Sequence, residues 1–249
     1  MKTKSIKKNI LLLAIETSCD DTSISIFKND KMLSLATLST IKQFKKYGGI
    51  VPEIAARGHE ESLIKVYLQA IKKAKIKPQE LDYIAYTSEP GLPGSLHVGK
   101  TFAKALGFLL GIECVPINHM LGHVFSFAIN DANKIKFPFI CLVASGGHTT
   151  LYLFNGIEDY KILNETTDDP IGETLDKIGR MLKLEYPGGI SIDTQYKPDK
   201  NNLKLIGHHS PQTNFSFSGL KTHILNQINT LNMKNKDIDK VLIGSSCLK

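Results

Sequence analysis

Ile10-Leu11-Leu12-Leu13-Ala14-Ile15-Glu16-Thr17, then Ser18-Cys19-Asp20-Asp21, then Thr22-Ser23-Ile24-Ser25-Ile26-Phe27-Lys28, is the stretch that decides the fold class. An apolar run, a short polar break and an alternating Ile/Ser run read as two strands joined by a turn. Asn29-Asp30-Lys31 supplies a second turn and Met32 to Thr40 a third strand, so the chain opens on a three-stranded meander. The Lys-rich residues before Ile10 give this start a passing likeness to a secretory leader. Its apolar run is shorter than the ~7–15 residues such a leader needs, and a cleavage region would have to cross Glu16, Asp20 and Asp21. The run is therefore expected to be a buried first strand.

The same layout returns later. Phe137 to Ala144 and Thr149 to Phe154 flank Ser145-Gly146-Gly147-His148 as a second hairpin, again ending in Phe. Two strand–turn–strand units, each followed by helical material, suggest a duplicated α/β domain whose halves clasp a nucleotide, with the turns offering N–H groups and hydroxyls to phosphate oxygens. Between them, apolar spacing predicts a helix from Pro52 to about Lys75, a strand from Leu81 to Thr87 and a helix from about Ser95 to Leu110. Beyond the second hairpin a helix is expected from Asp168 to about Leu184, with Gly188-Gly189 ending the following loop. The stretch from Ser191 to Thr213 reads as polar and loop-rich, and a last helical stretch follows Phe215 to Lys221. The expected domains are residues 1–125 and 126–249.

Composition narrows the class. With 42% hydrophobic residues in 249, the chain can bury a core in one or two domains. A formal charge of +7 suits a polyanionic partner, or reflects lysine abundance alone. Cys19, Cys114, Cys141 and Cys247 form no CxxC pair, which fits reduced thiols in a cytoplasmic protein rather than a disulfide framework or zinc knot. No stretch is long enough to span a membrane.

Three motifs carry chemistry. His119-Met120-Leu121-Gly122-His123 sets two imidazoles at i and i+4, which share a helix face and can reach one divalent ion, or are partly buried there by chance. The zinc-protease reading fails, because Met120 stands where a general-base Glu is needed. Val143-Ala144-Ser145-Gly146-Gly147-His148-Thr149 is a glycine turn that a ligand could approach closely, or an ordinary hairpin turn. Asp176 and the Gly188-Gly189 pair have the character of a ribose-reading acid and its glycine loop, although a helical Asp is commonly just solvated. Gly94-Ser95-Leu96-His97-Val98-Gly99-Lys100-Thr101 fits a Walker A pattern and makes a P-loop NTPase the rival reading. Against it, Val98, Phe102, Ala105, Leu106 and Leu109 recur at helical spacing, which puts Gly99 and Lys100 inside a helix. Nor does any apolar strand end in Asp to serve as Walker B.

Taken in order, the motifs resemble the tRNA threonylcarbamoyladenosine transferases, the TsaD-like family once described as glycoproteases. The blocks are Ala14 to Thr22, Gly48-Gly49-Ile50-Val51-Pro52-Glu53-Ile54-Ala55-Ala56-Arg57, Pro90-Gly91-Leu92, Asn118-His119-Met120 with Gly122-His123, and Ser145 to Thr149. Asp168-Asp169, Gly172-Glu173, Asp176-Lys177, Tyr186-Pro187-Gly188-Gly189 and Phe215 to Thr222 complete the set. The resemblance implies an α/β, actin/hexokinase-like ATPase fold. It implies transfer of a threonylcarbamoyl group from threonylcarbamoyl-adenylate to the adenosine beside the anticodon of tRNAs that read A-starting codons. It further implies that His119 and His123 hold a metal, iron (Fe2+) or else zinc, and that Val143, Ala144, Ser145, Gly146, Gly147, Asp176 and Gly189 bind the adenylate. Glu16, at the end of the first strand, becomes a candidate catalytic residue that orients the attacking amine or a metal-bound water. A paralogous TsaB-like subunit and a small TsaE-like ATPase are the partners it implies.

The chain departs from the family in places. Glu89 replaces the Gly before Pro-Gly-Leu, and Ile190 replaces the Pro after Gly189. The family continues beyond the Phe215–Thr222 block with an Asn for the adenylate and an Asp for the metal, and neither Asp237 nor Asp239 has that context. The second half is thus expected to be incomplete, and an inactive nucleotide- or tRNA-binding remnant is the alternative function.

Overall fold

A computed structural model describes residues 9–197, 214–233 and 239–248. They group into two compact units: residues through Phe44 with Ile50–Lys136, and Lys45–Gly49 with the described residues from Phe137 onward.

The first unit is built on the opening meander. Strands β1 (Leu11–Glu16), β2 (Asp21–Lys28) and β3 (Lys31–Ser39) pair antiparallel in sequence order. β4 (Tyr83–Glu89) joins the other edge of β1 in parallel, and β5 (Glu113–Asn118) joins β4 in parallel, giving the order β3-β2-β1-β4-β5. Period-2 alternation drives Leu13 and Ile15 of β1, Ile24 and Ile26 of β2 and Ile84 of β4 into the core. The Lys-preceded apolar run is thus a buried strand, as its short length requires.

After a short helix, α1 (Ile41–Phe44), come α2 (Pro52–Ala74) and α3 (Pro93–Leu110). Both long helices begin with Pro in their first turn, where the missing N–H costs no hydrogen bond. α3 stops at Gly111, whose φ of +68° lies in the left-handed region that favours glycine. Val66 and Ala70 of α2 and Ala103 of α3 are fully buried against the sheet. α4 (His119–Phe125) follows β5 directly.

The second unit holds the antiparallel meander β6 (Phe139–Ala144), β7 (Thr149–Phe154) and β8 (Tyr160–Glu165). Phe139, Phe154 and Tyr160 stack across the three strands at centroid distances of 5.1 and 4.9 Å. Helices α5 (Ile171–Met181), α6 (Gly188–Thr194), α7 (Ser218–Met233) and α8 (Lys240–Cys247) share a separate core of Ile178, Leu182, Ile192, Ile224, Ile228 and Ile243.

Several expectations need correction. α5 starts at Ile171 rather than Asp168, because Asp168 is drawn out of the helix by the contacts described below. Gly188-Gly189 opens a helix instead of ending a loop, and Ser191 to Thr194 belong to that helix rather than to a polar loop. Residues 195–197 are non-helical as expected, and the remainder of that expected loop, residues 198–213, lies outside the described residues, as do residues 1–8 and Asp237. Asp239 caps α8 by accepting the Leu242 N–H at 2.9 Å. β5 and β8 had no counterpart in the sequence reading.

Candidate active site

Glu16 closes β1, and its environment decides its charge. Oε1 accepts the Ser18 N–H at 2.5 Å, while Oε2 accepts the Thr87 hydroxyl at 2.5 Å and faces His119 Nδ1 at 3.1 Å. Burial alone would raise its pKa, but the bonds from His119, Ser18 and Thr87 outweigh that and hold the carboxyl at about 2. A carboxylate can only accept, so His119 Nδ1 carries a proton, and in the neutral ring the lone pair is then on Nε2.

α4 aims that lone pair. Asn118 caps the helix with its Oδ1, accepting the Met120 and Leu121 N–H groups. Met120 and Val124, at i and i+4, anchor the helix in the protein, leaving the His119/His123 row on the outer side. The two Nε2 atoms stand 3.1 Å apart, with the rings nearly perpendicular. Burial first, and His119 second, lower the pKa of His123, which favours the neutral imidazole that a metal requires. Two nitrogens each bound at ~2.0–2.1 Å to one ion, with bond angles between octahedral and tetrahedral, lie roughly 2.8–3.4 Å apart. The pair fits a shared divalent ion. Among the described residues no group of three or more His, Cys, Asp or Glu side chains could hold one.

The turn after β1 is held from two sides. Thr17 Oγ1 donates to Ser95 C=O at 2.9 Å, and Leu92 N–H donates to Ser18 C=O at 2.8 Å. A Cβ at Gly99 would sit 2.2 Å from Thr17 Oγ1, and one at Gly91 2.8 Å from Ser18 O. The second glycine of the Walker-like string is therefore a packing glycine inside α3, and Lys100 points outward beside it. No phosphate loop exists there. On the other side, fully buried His59 meets Cys19 C=O through Nε2 at 3.1 Å and Thr22 Oγ1 through Nδ1 at 2.7 Å. Burial, with Asp20 next, pushes the Cys19 thiol up to about 12, which removes it as a nucleophile.

The second cluster belongs to the second unit. Ser145 N–H donates to His148 C=O at 2.8 Å, and Ser145 Oγ accepts the His148 N–H at 3.1 Å. The hydroxyl is thus spent on shaping the turn. Val143 is buried below it and Ala144 exposed. Gly146 and Gly147 are different: a Cβ at either would meet nothing within 4 Å, and neither has a positive φ. The protein itself does not need glycine there, whereas a ligand lying against the backbone would. Gly172 packs beneath the turn, its N–H donating to Ser145 C=O at 3.2 Å. Asp176 follows one helical turn later on the same face, and its Oδ1 accepts the Gly189 N–H at 3.0 Å. The turn, Asp176 and Gly189 are thereby gathered around α5. Sequence reasoning named these residues but missed Thr87 and His59, which signal themselves only through tertiary contact, and Ser18, whose N–H reaches Glu16 across the turn.

Comparison with known proteins agrees with the motif reading. The family model described as "TsaD: tRNA N6-adenosine threonylcarbamoyltransferase" matches residues 31–243. A curated protein of that name from Ureaplasma urealyticum serovar 10 is 43% identical over 244 residues, covering 98% of this chain and 76% of its own. One from Malacoplasma penetrans is 45% identical over 239 residues, covering 96% and 77%. Among solved structures, component A of (R)-2-hydroxyglutaryl-CoA dehydratase from Acidaminococcus fermentans superposes with a TM-score of 0.51 at 10% identity, covering 95% of this chain and 72% of that one. That likeness supports the actin/hexokinase-like ATPase fold and nothing finer.

Proposed function

The chain belongs to the tRNA N6-adenosine threonylcarbamoyltransferase family, a family of tRNA-modifying transferases, and from that premise we propose how its two residue clusters divide the reaction. The substrate is tRNA. The donor is threonylcarbamoyl-adenylate, and the acceptor is the exocyclic amine of the adenosine beside the anticodon in tRNAs that read A-starting codons. The amine nitrogen bonds to the carbamoyl carbon, the bond from that carbon to the phosphate oxygen breaks, AMP leaves, and the amine gives up a proton to solvent.

The observation that carries this division is the convergence of the two imidazole nitrogens at 3.1 Å, with a carboxylate fixing one of them. A divalent metal held by His119 and His123, iron or zinc, would supply Lewis acidity toward a carbonyl or phosphate oxygen. Glu16 has both oxygens engaged by the protein, so its part is to fix the tautomer and direction of His119. Val143 to Gly147 let the adenylate phosphate approach the backbone. Asp176, with one oxygen on Gly189, offers its second to a ribose hydroxyl.

The net charge of +7 supports tRNA binding. Ile64 and Leu68 lie exposed one turn apart on α2, which supports a protein partner, taken to be the paralogous TsaB-like subunit; the TsaE-like ATPase completes the assembly. No helix among the described residues is long and apolar enough to cross a membrane, and the proposed setting is the cytoplasm.

Transfer of labelled threonylcarbamoyl to unmodified tRNA, with the partners present, tests the reading. Activity that disappears in His119→Ala supports it. A folded chain that transfers nothing, or a His119→Ala variant with full activity, refutes it.

A further inference from the structure

Two blocks of the sequence have no part in the scheme so far: Asp168-Asp169 and Phe215 to Thr222. They form one assembly. Asp168 Oδ1 accepts the Phe217 N–H at 2.8 Å and the Thr166 hydroxyl at 3.2 Å. Its Oδ2 accepts the Ser216 hydroxyl at 2.5 Å, the Ser218 hydroxyl at 2.6 Å and the Ser218 N–H at 3.3 Å. Beside it, Asp169 takes the ammonium groups of Lys177 at 2.9 Å and Lys221 at 2.6 Å. Phe215 bridges Thr166 in parallel, with Thr167 N–H donating to Phe215 C=O at 3.1 Å. Burial opposes the charge on Asp168, yet the Ser216, Ser218 and Phe217 donors hold its carboxyl well below the usual carboxylate range.

The other side of the same loop supports the glycine turn. Thr166 N–H donates to Thr149 C=O at 2.9 Å, Ile171 N–H to Thr149 Oγ1 at 2.9 Å, and Gly172 N–H to Ser145 C=O at 3.2 Å. A Cβ at Gly172 would come within 2.5 Å of Ser145 O, so the loop and turn are in contact with no slack. Loop Thr166 to Gly172 is thus fastened along one side to Phe215 to Ser218 and along the other to Ser145 to Thr149. A carboxylate whose only duty was solvation would not gather four donors from a segment about fifty residues away.

We propose that Asp168 is a positioning residue for the donor nucleotide: by binding the Phe215–Ser218 segment to the Thr166–Gly172 loop, it fixes the support on which the Ser145–Gly147 turn rests. The inference deepens the adenylate reading of that turn and depends on it. Charge-assisted bonds give the support its stiffness, and a turn displaced by an ångström would lose its fit to a phosphate.

AMP binding by calorimetry and hydrogen exchange of the Ser145–His148 amides, both on the full chain, test the role. Asp168→Asn is expected to weaken AMP binding about tenfold, speed exchange in the turn and leave β1 amides unchanged. The double variant Ser216→Ala/Ser218→Ala keeps the carboxylate and its backbone donors and should shift both readouts the same way, by less. It decides the matter if Asp168→Asn fails to fold. Gly147→Val separates the two ideas. If it abolishes AMP binding while neither staple variant alters affinity or exchange, the positioning role is overturned alone. AMP binding that survives Gly147→Val, or that the unaltered chain lacks, overturns the adenylate reading itself.

Discussion

Glu16 gives both its oxygens to the protein, and that constrains what its replacement can do. Glu16→Gln keeps the shape but presents one N–H₂ where only acceptors fit, either toward Ser18 N–H or toward His119 Nδ1. Loss of the fixed tautomer should lower metal affinity and transfer activity about 10–100-fold, read by metal content after dialysis and by initial rates. Unchanged metal content would show that His119 needs no orienting partner. The histidine pair was legible in the sequence because i and i+4 on a helix are neighbours by geometry alone. Glu16 was legible as a candidate, but its partners were not: Thr87 and His119 meet it only after β1, β4 and α4 have assembled, and the Ser18 N–H reaches it only through the shape of the turn.

Elements were read well where periodicity is strong. The meander, α2 and α3 follow from apolar spacing, and the Walker-like string was assigned to a helix for the reason the structure gives. β5 escaped because Pro116 interrupts it, tolerable only on the edge strand it forms. α6 escaped because Gly188-Gly189 reads as a break. α5 and α6 meet at two glycines: a Cβ at Gly179 would lie 2.5 Å from Gly188 Cα, so nothing larger fits. The packing at α3 yields a paired prediction. Gly99→Ala should destabilise by about 1–3 kcal/mol in denaturant unfolding, because its Cβ strikes Thr17. Lys100→Ala, on the exposed side of the same turn, should change neither stability nor nucleotide binding. The opposite ranking would restore the P-loop.

At the scale of the molecule, the second unit is held partly by charge. The folded pKa of Asp168 lies below its unfolded value of ~3.9, so its contribution is complete above that pH and drains away as pH falls further. Asp169, Glu173, Lys177 and Lys221 face the same cluster, and Asp169, itself lowered by Lys221 and Lys177, acts in the same direction. The chain should therefore lose stability on acidification below about pH 4, and Asp168→Asn should flatten that limb of a stability–pH curve. An unchanged slope would remove Asp168 from the account. The sequence showed these blocks in order but not that residues 168 and 216–218 meet, since loop contacts leave no periodic trace. The meander β6-β7-β8 carries one more consequence. Among the described residues β6 borders its sheet, with Ile140 and Leu142 exposed at 63% and 55%, and such a greasy border invites another chain to zip alongside. Concentrated solutions should turn cloudy with β-rich aggregates, and a single lysine at position 140 should keep them clear.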